Sequence, residues 1–334
     1  MTDPATVLAT SSIIYKNFNP KHYDLFIRTW GPYIAKGEAK PISETQLRLQ
    51  YEANPAGSSA LTIMEEDGVW IGTIAAIATS IITSDGTKRI AYQIGDFMVD
   101  PKYQGRGLGG KLLCELTGFL QDVAIFVYTF PNARSIGVFL KQAYLELRCI
   151  PVVIYPVLPT AILGKLRWGA KSRVTDLPIE QACKVADDLS ARPRAKARIH
   201  KSGDYLHWRY GEMRDSSDYS FTLVERPKGA APSLVVWSLF RYRGIPFQVI
   251  VDTLGEGEAG PALCEVASMG MGRGALLGVN NVERGPGWAL PPFSVRVPRR
   301  FDPRPARLLV RPDDAASKEM FSECLFTTGD WMGF

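Results

Sequence analysis

Val99-Asp-Pro-Lys-Tyr-Gln-Gly-Arg-Gly-Leu-Gly-Gly-Lys-Leu-Leu113 is the stretch that decides the fold. It stands between a run of strand character, Arg89–Val99, and an amphipathic segment, residues 107–121. In that segment Leu108, Leu112, Leu116 and Phe119 or Leu120 recur on one helical face. Gln104-Gly-Arg-Gly-Leu-Gly109 supplies small residues where the chain must turn from strand into helix. Glycine there permits positive φ and lets bare amide N–H groups converge. The helix start adds unpaired donors and about half a positive charge. Strand, glycine turn and helix N-terminus together form a pyrophosphate cradle.

Other glycine loops fit less well. A P-loop needs Gly-Lys-Ser/Thr, whereas Lys111 is followed by Leu112. A Rossmann turn belongs in an early βαβ unit with an acidic residue about 20 positions on. Here the loop follows three strand-like runs, and Phe126–Phe130 offers no carboxylate. The bland alternative is a glycine-rich turn that holds nothing.

Working outward, residues 20–30 place Tyr23, Phe26, Ile27 and Trp30 at helical spacing, and residues 42–53 predict a second helix capped by Ser43. Strands are expected at Ala60–Glu65, Val69–Ile82 and Arg89–Val99, the last two joined by a turn at Ser84-Asp85-Gly86. After the helix come a buried strand, Ala124–Phe130, a helix over residues 133–143, and β structure from Leu147 to Val157. The order is ααβββαβαβ. Beyond Leu158 the pattern predicts a helix near Leu177–Leu189, a basic loop Ala191–Ser202, and strands at Tyr219–Glu225, Leu234–Tyr242 and Phe247–Leu254. A helix near Pro261–Met271, a strand Ala275–Val279, a Pro/Arg-rich stretch Pro286–Pro305 and a last strand Arg307–Arg311 complete it. The halves share element order but no alignable repeat.

Composition sets the frame. At 334 residues the chain suits two domains or one large one. Its 46% hydrophobic content excludes extensive disorder, and a net charge of +5 is too small to mark a nucleic-acid binder. The five cysteines form no C-x-x-C pair, which argues against a disulfide framework or structural zinc and suits a reducing cytoplasm. The first residues lack the basic and apolar regions of a signal peptide, and the run Ile71–Ile82 is too short to span a membrane.

The 99–113 segment resembles motif A of the GNAT family, the Gcn5-related N-acetyltransferases. Their signature Q/R-x-x-G-x-G/A is met by Gln104, Gly107 and Gly109, with Val99-Asp100-Pro101 before it. The resemblance covers about residues 12–157. It includes Pro131-Asn132-Ala133-Arg134-Ser135 and Val138-Phe139-Leu140-Lys141-Gln142-Ala143-Tyr144, which look like the family's second conserved region. It implies acetyl-CoA as cofactor. The backbone of Gln104, Gly105, Arg106, Gly107, Leu108, Gly109 and Gly110 would hold the CoA pyrophosphate. The strand Phe97, Met98 and Val99 would pair with the pantetheine arm. Asn132 would contact that arm with Ser135 assisting, and Arg106 and Lys111 are candidates for the adenosine phosphates.

Catalysis departs from the family pattern. The tyrosine that often protonates the leaving thiolate is replaced by Phe139, leaving Tyr144, Tyr128 or water as substitutes. The family's usual base positions hold Gln93 and Val127. Asp96 is the only carboxylate inside the central strand, and burying it without a partner is costly. It reads as a base or ammonium anchor near the thioester, or as a structural aspartate bonded to a loop. The second catalytic candidate is the carboxylate of Phe334, or Asp330 beside it, because some two-domain members use a terminal carboxylate as base. The plainer reading of Gly329–Phe334 is a tail packed on the second domain.

Tyr205-Leu-His-Trp-Arg-Tyr210 reads as a packing segment or as an acceptor wall. With Gly329–Phe334 it resembles members associated with polysaccharide synthesis, which implies an amino-sugar or nucleotide-sugar acceptor. Arg192, Arg194, Lys196, Arg198 and Lys201 read as a solvated loop, and Gly270-Met-Gly-Arg-Gly-Ala275 as a helix cap. The expectation is an α/β protein with mixed sheets and the GNAT fold in two tandem copies, the second degenerate. Residues 1–157 would bind acetyl-CoA and 158–334 would shape the acceptor pocket. The expected activity is cytoplasmic N-acetyl transfer to a small-molecule primary amine, with no nucleic-acid partner, no membrane span and no metal. Alternatives are a longer-chain or carrier-protein-dependent N-acyltransferase, or a CoA-binding protein without catalysis.

Overall fold

The computed structural model describes residues 11–15, 20–34, 43–121, 126–168, 172–192, 197–213, 218–225, 231–255, 259–280, 291, 293–298, 300, 302, 306–311, 315–324 and 326–327. In chain order the elements are β1 (Ser11–Tyr15), α1 (Pro20–Ile34), α2 (Glu44–Tyr51), β2 (Ala60–Glu66), β3 (Val69–Ile82), β4 (Lys88–Val99), α3 (Leu108–Gln121) and β5 (Phe126–Thr129). Next come α4 (Ile136–Lys141), β6 (Leu145–Ile150), β7 (Val153–Pro156), α5 (Val157–Trp168), β8 (Arg173–Leu177), α6 (Ile179–Ser190), β9 (Arg198–Ile199) and α7 (Gly203–His207). The remainder are β10 (Tyr219–Glu225), β11 (Ser233–Tyr242), β12 (Ile245–Leu254), α8 (Ala259–Gly272), β13 (Leu277–Asn280), β14 (Val295–Arg296), β15 (Ala306–Arg311) and α9 (Ala315–Glu323).

The chain forms two compact units. The first comprises residues 1–79, 90–146 and 309–317; the second comprises 80–89, 147–308 and 318–334. Each has a mixed sheet. The first sheet is ordered β1-β2-β3-β4-β5-β15-β6. Its β4 and β5 run parallel, from Ala91 opposite Phe126 to Ile94 opposite Thr129, and β15 pairs antiparallel with β5. On one face α3 buries Leu108, Leu112, Leu116 and Leu120 against Ile71, Ile74, Ile94, Val127 and Leu309. Tyr23, Phe26 and Trp30 of α1 and Leu47 and Tyr51 of α2 are also buried. As expected, Ser43 caps α2: its hydroxyl accepts from Gln46 N and Gln46 bonds back to Ser43 N, a capping box.

The second sheet is ordered β14-β7-β13-β12-β11-β10-β8, with β12 and β13 parallel from Phe247 opposite Leu277 to Ile250 opposite Asn280. Alternation along β11 puts Leu234 and Val236 with the helices α6 and α7, and Val235 and Trp237 with α8. In this unit Ile81 and Ile82 pair with Ile199 and Arg198 of β9. Leaving out β9, the run from β8 to β13 has the same order of strands and helices as the run from β1 to β5, parallel pair included.

Several expectations are corrected. The short strands β1 and β8, and β9 inside the basic loop, carry too few residues for a periodic signal. The apolar run that read as β up to Val157 turns into α5, with Pro159 tolerated in its first turn. Neither compact unit is one continuous stretch of the chain. Strand β7, from the first half of the sequence, lies beside β13, and β15, from near the chain's end, lies beside β5. Such exchange depends on long-range pairing, which no local pattern encodes. Among the described residues no helix is long and apolar enough to cross a membrane.

Candidate active site in the first unit

The site begins where two parallel strands part. The β4–β5 ladder ends at Ile94 and Thr129, and the Thr129 hydroxyl donates to Ile94 O at 2.9 Å. Two residues on, Asp96 has φ +46°, in the left-handed region, which breaks the extended course of β4. Beyond it Phe97, Met98 and Val99 continue without a β5 partner among the described residues. Their backbone edge is therefore available to a ligand's amide groups.

The glycine loop follows directly. Asp100 N donates to Ile71 O at 2.9 Å, and its carboxylate caps the 3₁₀ turn Pro101–Tyr103 by accepting from Lys102 N at 2.8 Å. The Gln104 amide donates to Val99 O at 2.9 Å, tying the loop to the end of β4. Gly105 and Gly107 have φ +81° and +75°, which L side chains adopt only under strain. Gly107 O receives Gly110 N and Lys111 N, so the helix opens at Leu108 with its first donors pointing outward. Leu108 anchors the loop by being buried, while residues 104–107 are exposed. A side chain at Gly109 would come within 2.9 Å of the Phe97 ring, so the absence of one lets α3 close onto β4. This cradle of exposed amides beside an open strand edge fits a pyrophosphate carried on an extended arm.

Other anticipated residues are placed as follows. The Asn132 side-chain oxygen accepts from Arg134 N and Ser135 N at 2.9 and 3.0 Å, so this half of its amide starts α4. Ser135 leans on the same residue, its hydroxyl 3.3 Å from that oxygen. Arg106 pairs with Glu66 at 3.1 Å and lies over the Tyr103 ring. Phe139 is fully buried between the rings of Phe97 and Tyr144. Tyr144 and Tyr128 are buried too, and the Tyr128 hydroxyl donates to Thr79. Phe334 and Asp330 lie outside the described residues.

Asp96 is bonded to a helix, not a loop. Its Oδ2 accepts from the Tyr51 hydroxyl and from Gln50 Nε2, the latter at 2.6 Å. Burial pushes the Asp96 carboxyl above the usual carboxylate range, opposed by those two hydrogen bonds. Gln50 and Tyr51 were not singled out from the sequence. They close α2 some 45 residues upstream, with no local signal of a partner in β4.

In the second unit Trp208, Arg209 and Tyr210 are buried, in keeping with a packing segment over Tyr205–Tyr210. Gly270–Ala275 is the expected helix cap: Ala275 N reaches Gly270 O at 2.9 Å, and Gly274 has φ +84°. Arg273 from this turn stacks over Trp237 and pairs with Asp176 at 3.0 Å. Lys201, Asp252, Tyr210 and Thr327 form a buried polar cluster. Lys201 Nζ and the Thr327 hydroxyl donate to Asp252 Oδ1, and the Tyr210 hydroxyl donates to Oδ2. Nearby in the same unit, Arg148 donates to Phe321 O at 2.8 Å and to Cys324 O, neutralising the carbonyl end of α9. These contacts hold the last described residues in the second unit.

A parted parallel pair, a glycine cradle and a helix N-terminus together suit an acyl-CoA-type ligand. Residues 20–144 match the profile of the Acetyltransferase (GNAT) family. Over this stretch the chain is similar to the GNAT acetyltransferases. No curated protein shows significant sequence similarity. A GCN5-related N-acetyltransferase from Anabaena variabilis superposes with TM-score 0.65 at 11% identity, covering 92% of this chain and 74% of that one. A probable N-acyltransferase from Enterococcus faecalis gives 0.63 at 11%, covering 90% and 72%. A glucosamine N-acetyltransferase region of a fungal multi-domain β-N-acetylglucosaminidase gives 0.56 at 16%, covering 92% and 39%. At these identities the likeness is one of fold, and it extends over both units.

Proposed function

We propose that the chain transfers acetyl from acetyl-CoA to the primary amine of a small molecule by direct attack. The observation that carries this reading is the parting of β4 and β5 beside the glycine cradle, with a carboxylate at the parting point. The backbone of Gln104 to Gly110 would hold the pyrophosphate and Phe97 to Val99 the pantetheine arm. Asn132 would contribute its remaining amide hydrogens. Arg106 would reach a phosphate by exchanging its Glu66 partner. Bound acetyl-CoA supplies a thioester carbonyl open to an amine. The acceptor enters as an ammonium and must shed two protons to become an amide. One ends on the departing sulfur and the other passes to Asp96 or to water. An amino sugar is the acceptor class we favour, supported by the resemblance noted in the sequence and by the fold shared with the fungal glucosamine-acetylating region.

Titration calorimetry and thermal shift with acetyl-CoA test the donor, and CoA release over a panel of primary amines tests the acceptor. Heat of binding, thermal stabilisation and amine-dependent CoA release are expected. Absence of both heat and stabilisation would sink the proposal. A pH profile adds a second check. With Asp96 raised above the usual range near ~3.9, kcat/KM should fall on the acid side at a pH above that value. Asp96→Asn should remove this acid limb.

A further inference from the structure

The Tyr–Asp contact of the first unit occurs again in the second, at corresponding places. In the first, Ser43 caps α2 and Tyr51 stands eight residues on; in the second, Ser202 caps α7 and Tyr210 stands eight residues on. Four residues after each cap is a buried leucine, Leu47 and Leu206. Asp96 lies two residues past the last β4–β5 pair, at Ile94, and Asp252 two residues past the last β12–β13 pair, at Ile250. Each aspartate receives the tyrosine hydroxyl on Oδ2.

What differs is the other side of the carboxylate. Asp252 Oδ1 holds the ammonium of Lys201, with the Thr327 hydroxyl joining both. On Asp96 both donors, Tyr51 and the neutral amide of Gln50, fall on Oδ2. No cation pairs with Asp96 among the described residues, and its Oδ1 is unengaged there. Arg209 occupies the position of Gln50 in the second unit. The second unit thus shows the constellation filled by a primary ammonium from its own chain. A desolvated carboxylate left with one open oxygen favours a cation of the same kind.

We propose that Oδ1 of Asp96 binds the ammonium group of the acceptor, so that the acceptor is a cationic primary amine. This rests on the acyltransferase reading for its meaning, although ammonium binding can be measured without it. Asp96 then acts chiefly before the chemical step, and Tyr51 and Gln50 are positioning residues that turn Oδ1 outward. In the second unit Lys201 makes the equivalent subsite self-occupied, which leaves one acceptor subsite of this kind in the pair.

The test is saturation-transfer NMR of n-butylammonium on the full-length chain without CoA, with n-butanol as the neutral match. Wild type should transfer saturation to butylammonium and not to butanol. Asp96→Asn should weaken binding at least about tenfold, while Asp96→Glu retains part of it. Tyr51→Phe should weaken it less than Asp96→Asn. Circular dichroism of each variant shows that it is folded, and Asp96→Asn is isosteric enough to keep both Oδ2 donors served. In the kinetic arm, with an amine that turns over, Asp96→Asn should raise KM far more than it lowers kcat. Equal binding of butylammonium to wild type and Asp96→Asn, or no binding to wild type, overturns the subsite. A loss in kcat at unchanged KM overturns it too, in favour of a proton acceptor. Calorimetry with acetyl-CoA is run separately, so that failure of the donor reading and failure of the subsite are distinguished.

Discussion

Lys201→Met should lower the stability of the chain by about 3 kcal/mol, toward the low end of what breaking a buried ion pair costs. The substitution leaves Asp252, fully buried, with hydroxyl donors but without its ammonium. A carboxylate in that position cannot recover its lost hydration. Arg209 is buried in the same region and its charge is felt at Asp252, which keeps the cost from the top of the range. For units of this size the shift amounts to a fall of about 6–12 °C in the thermal midpoint. Pairing Lys201→Met with Asp252→Leu should recover part of the loss, because the uncompensated charge is gone while the Tyr210 and Thr327 hydroxyls lose their acceptor. Thermal unfolding followed by circular dichroism measures both. A single variant that melts with wild type would show that Lys201 contributes nothing through Asp252.

Gly107→Val should weaken acetyl-CoA binding by about one to two orders of magnitude. At φ +75° a side chain costs about 1–2 kcal/mol, and a β-branched one is among the worst tolerated. The chain can relieve this only by turning the local peptide planes, which withdraws amides from the cradle. At about 1.4 kcal/mol per tenfold, the strain alone supplies the smaller figure and lost phosphate contacts the rest. Calorimetry with acetyl-CoA reads the effect. Gly118→Ala, farther along α3, is the control: a Cβ there meets nothing within 4 Å, and the helix should gain about 0.5–1 kcal/mol without change in affinity. Unaltered affinity in Gly107→Val would remove the loop from the binding site.

Asp96 also imposes a pH-dependent cost on the fold. Its raised pKa means the neutral form is favoured in the folded chain. The cost is absent below the ordinary aspartate pKa and grows as pH rises through the raised value. Asp96→Asn should therefore melt higher than wild type at neutral pH, and the gain should shrink in acid. A gain independent of pH would point to packing instead.

The cradle was legible because its requirements are local. Glycines at positions 105, 107 and 109, an apolar stripe from Leu108 to Leu120 and a strand before them are adjacent in the chain and obey short-range rules. The helix cap at Ser43 and the cap at Gly270–Ala275 were readable for the same reason. The partners of Asp96 were not, because Gln50 and Tyr51 meet it only through sheet and helix packing. Lys201 read as one basic residue in a solvated run, yet its ammonium is enclosed with Asp252 and Thr327, far away in sequence. Aromatic Trp208 and Tyr210 suggested a binding wall by composition, and both are buried in the packing of the second unit. The likeness of the two units lies in element order and in a Tyr–Asp pair, features too sparse to align.

The strand exchange has a consequence for synthesis. Strand β5 ends at Thr129, but its antiparallel neighbour β15 begins only at Ala306. A ribosome adds roughly 5–20 residues per second, so the open flank of β5 waits on the order of ten to thirty seconds for its partner. Throughout that interval the nascent first sheet presents an unfilled edge bearing Val127 and Tyr128. The first unit, though mostly encoded first, is therefore among the last parts of the chain to be completed, and chaperone occupancy during translation should track β15 and not the end of the sequence that matches the family.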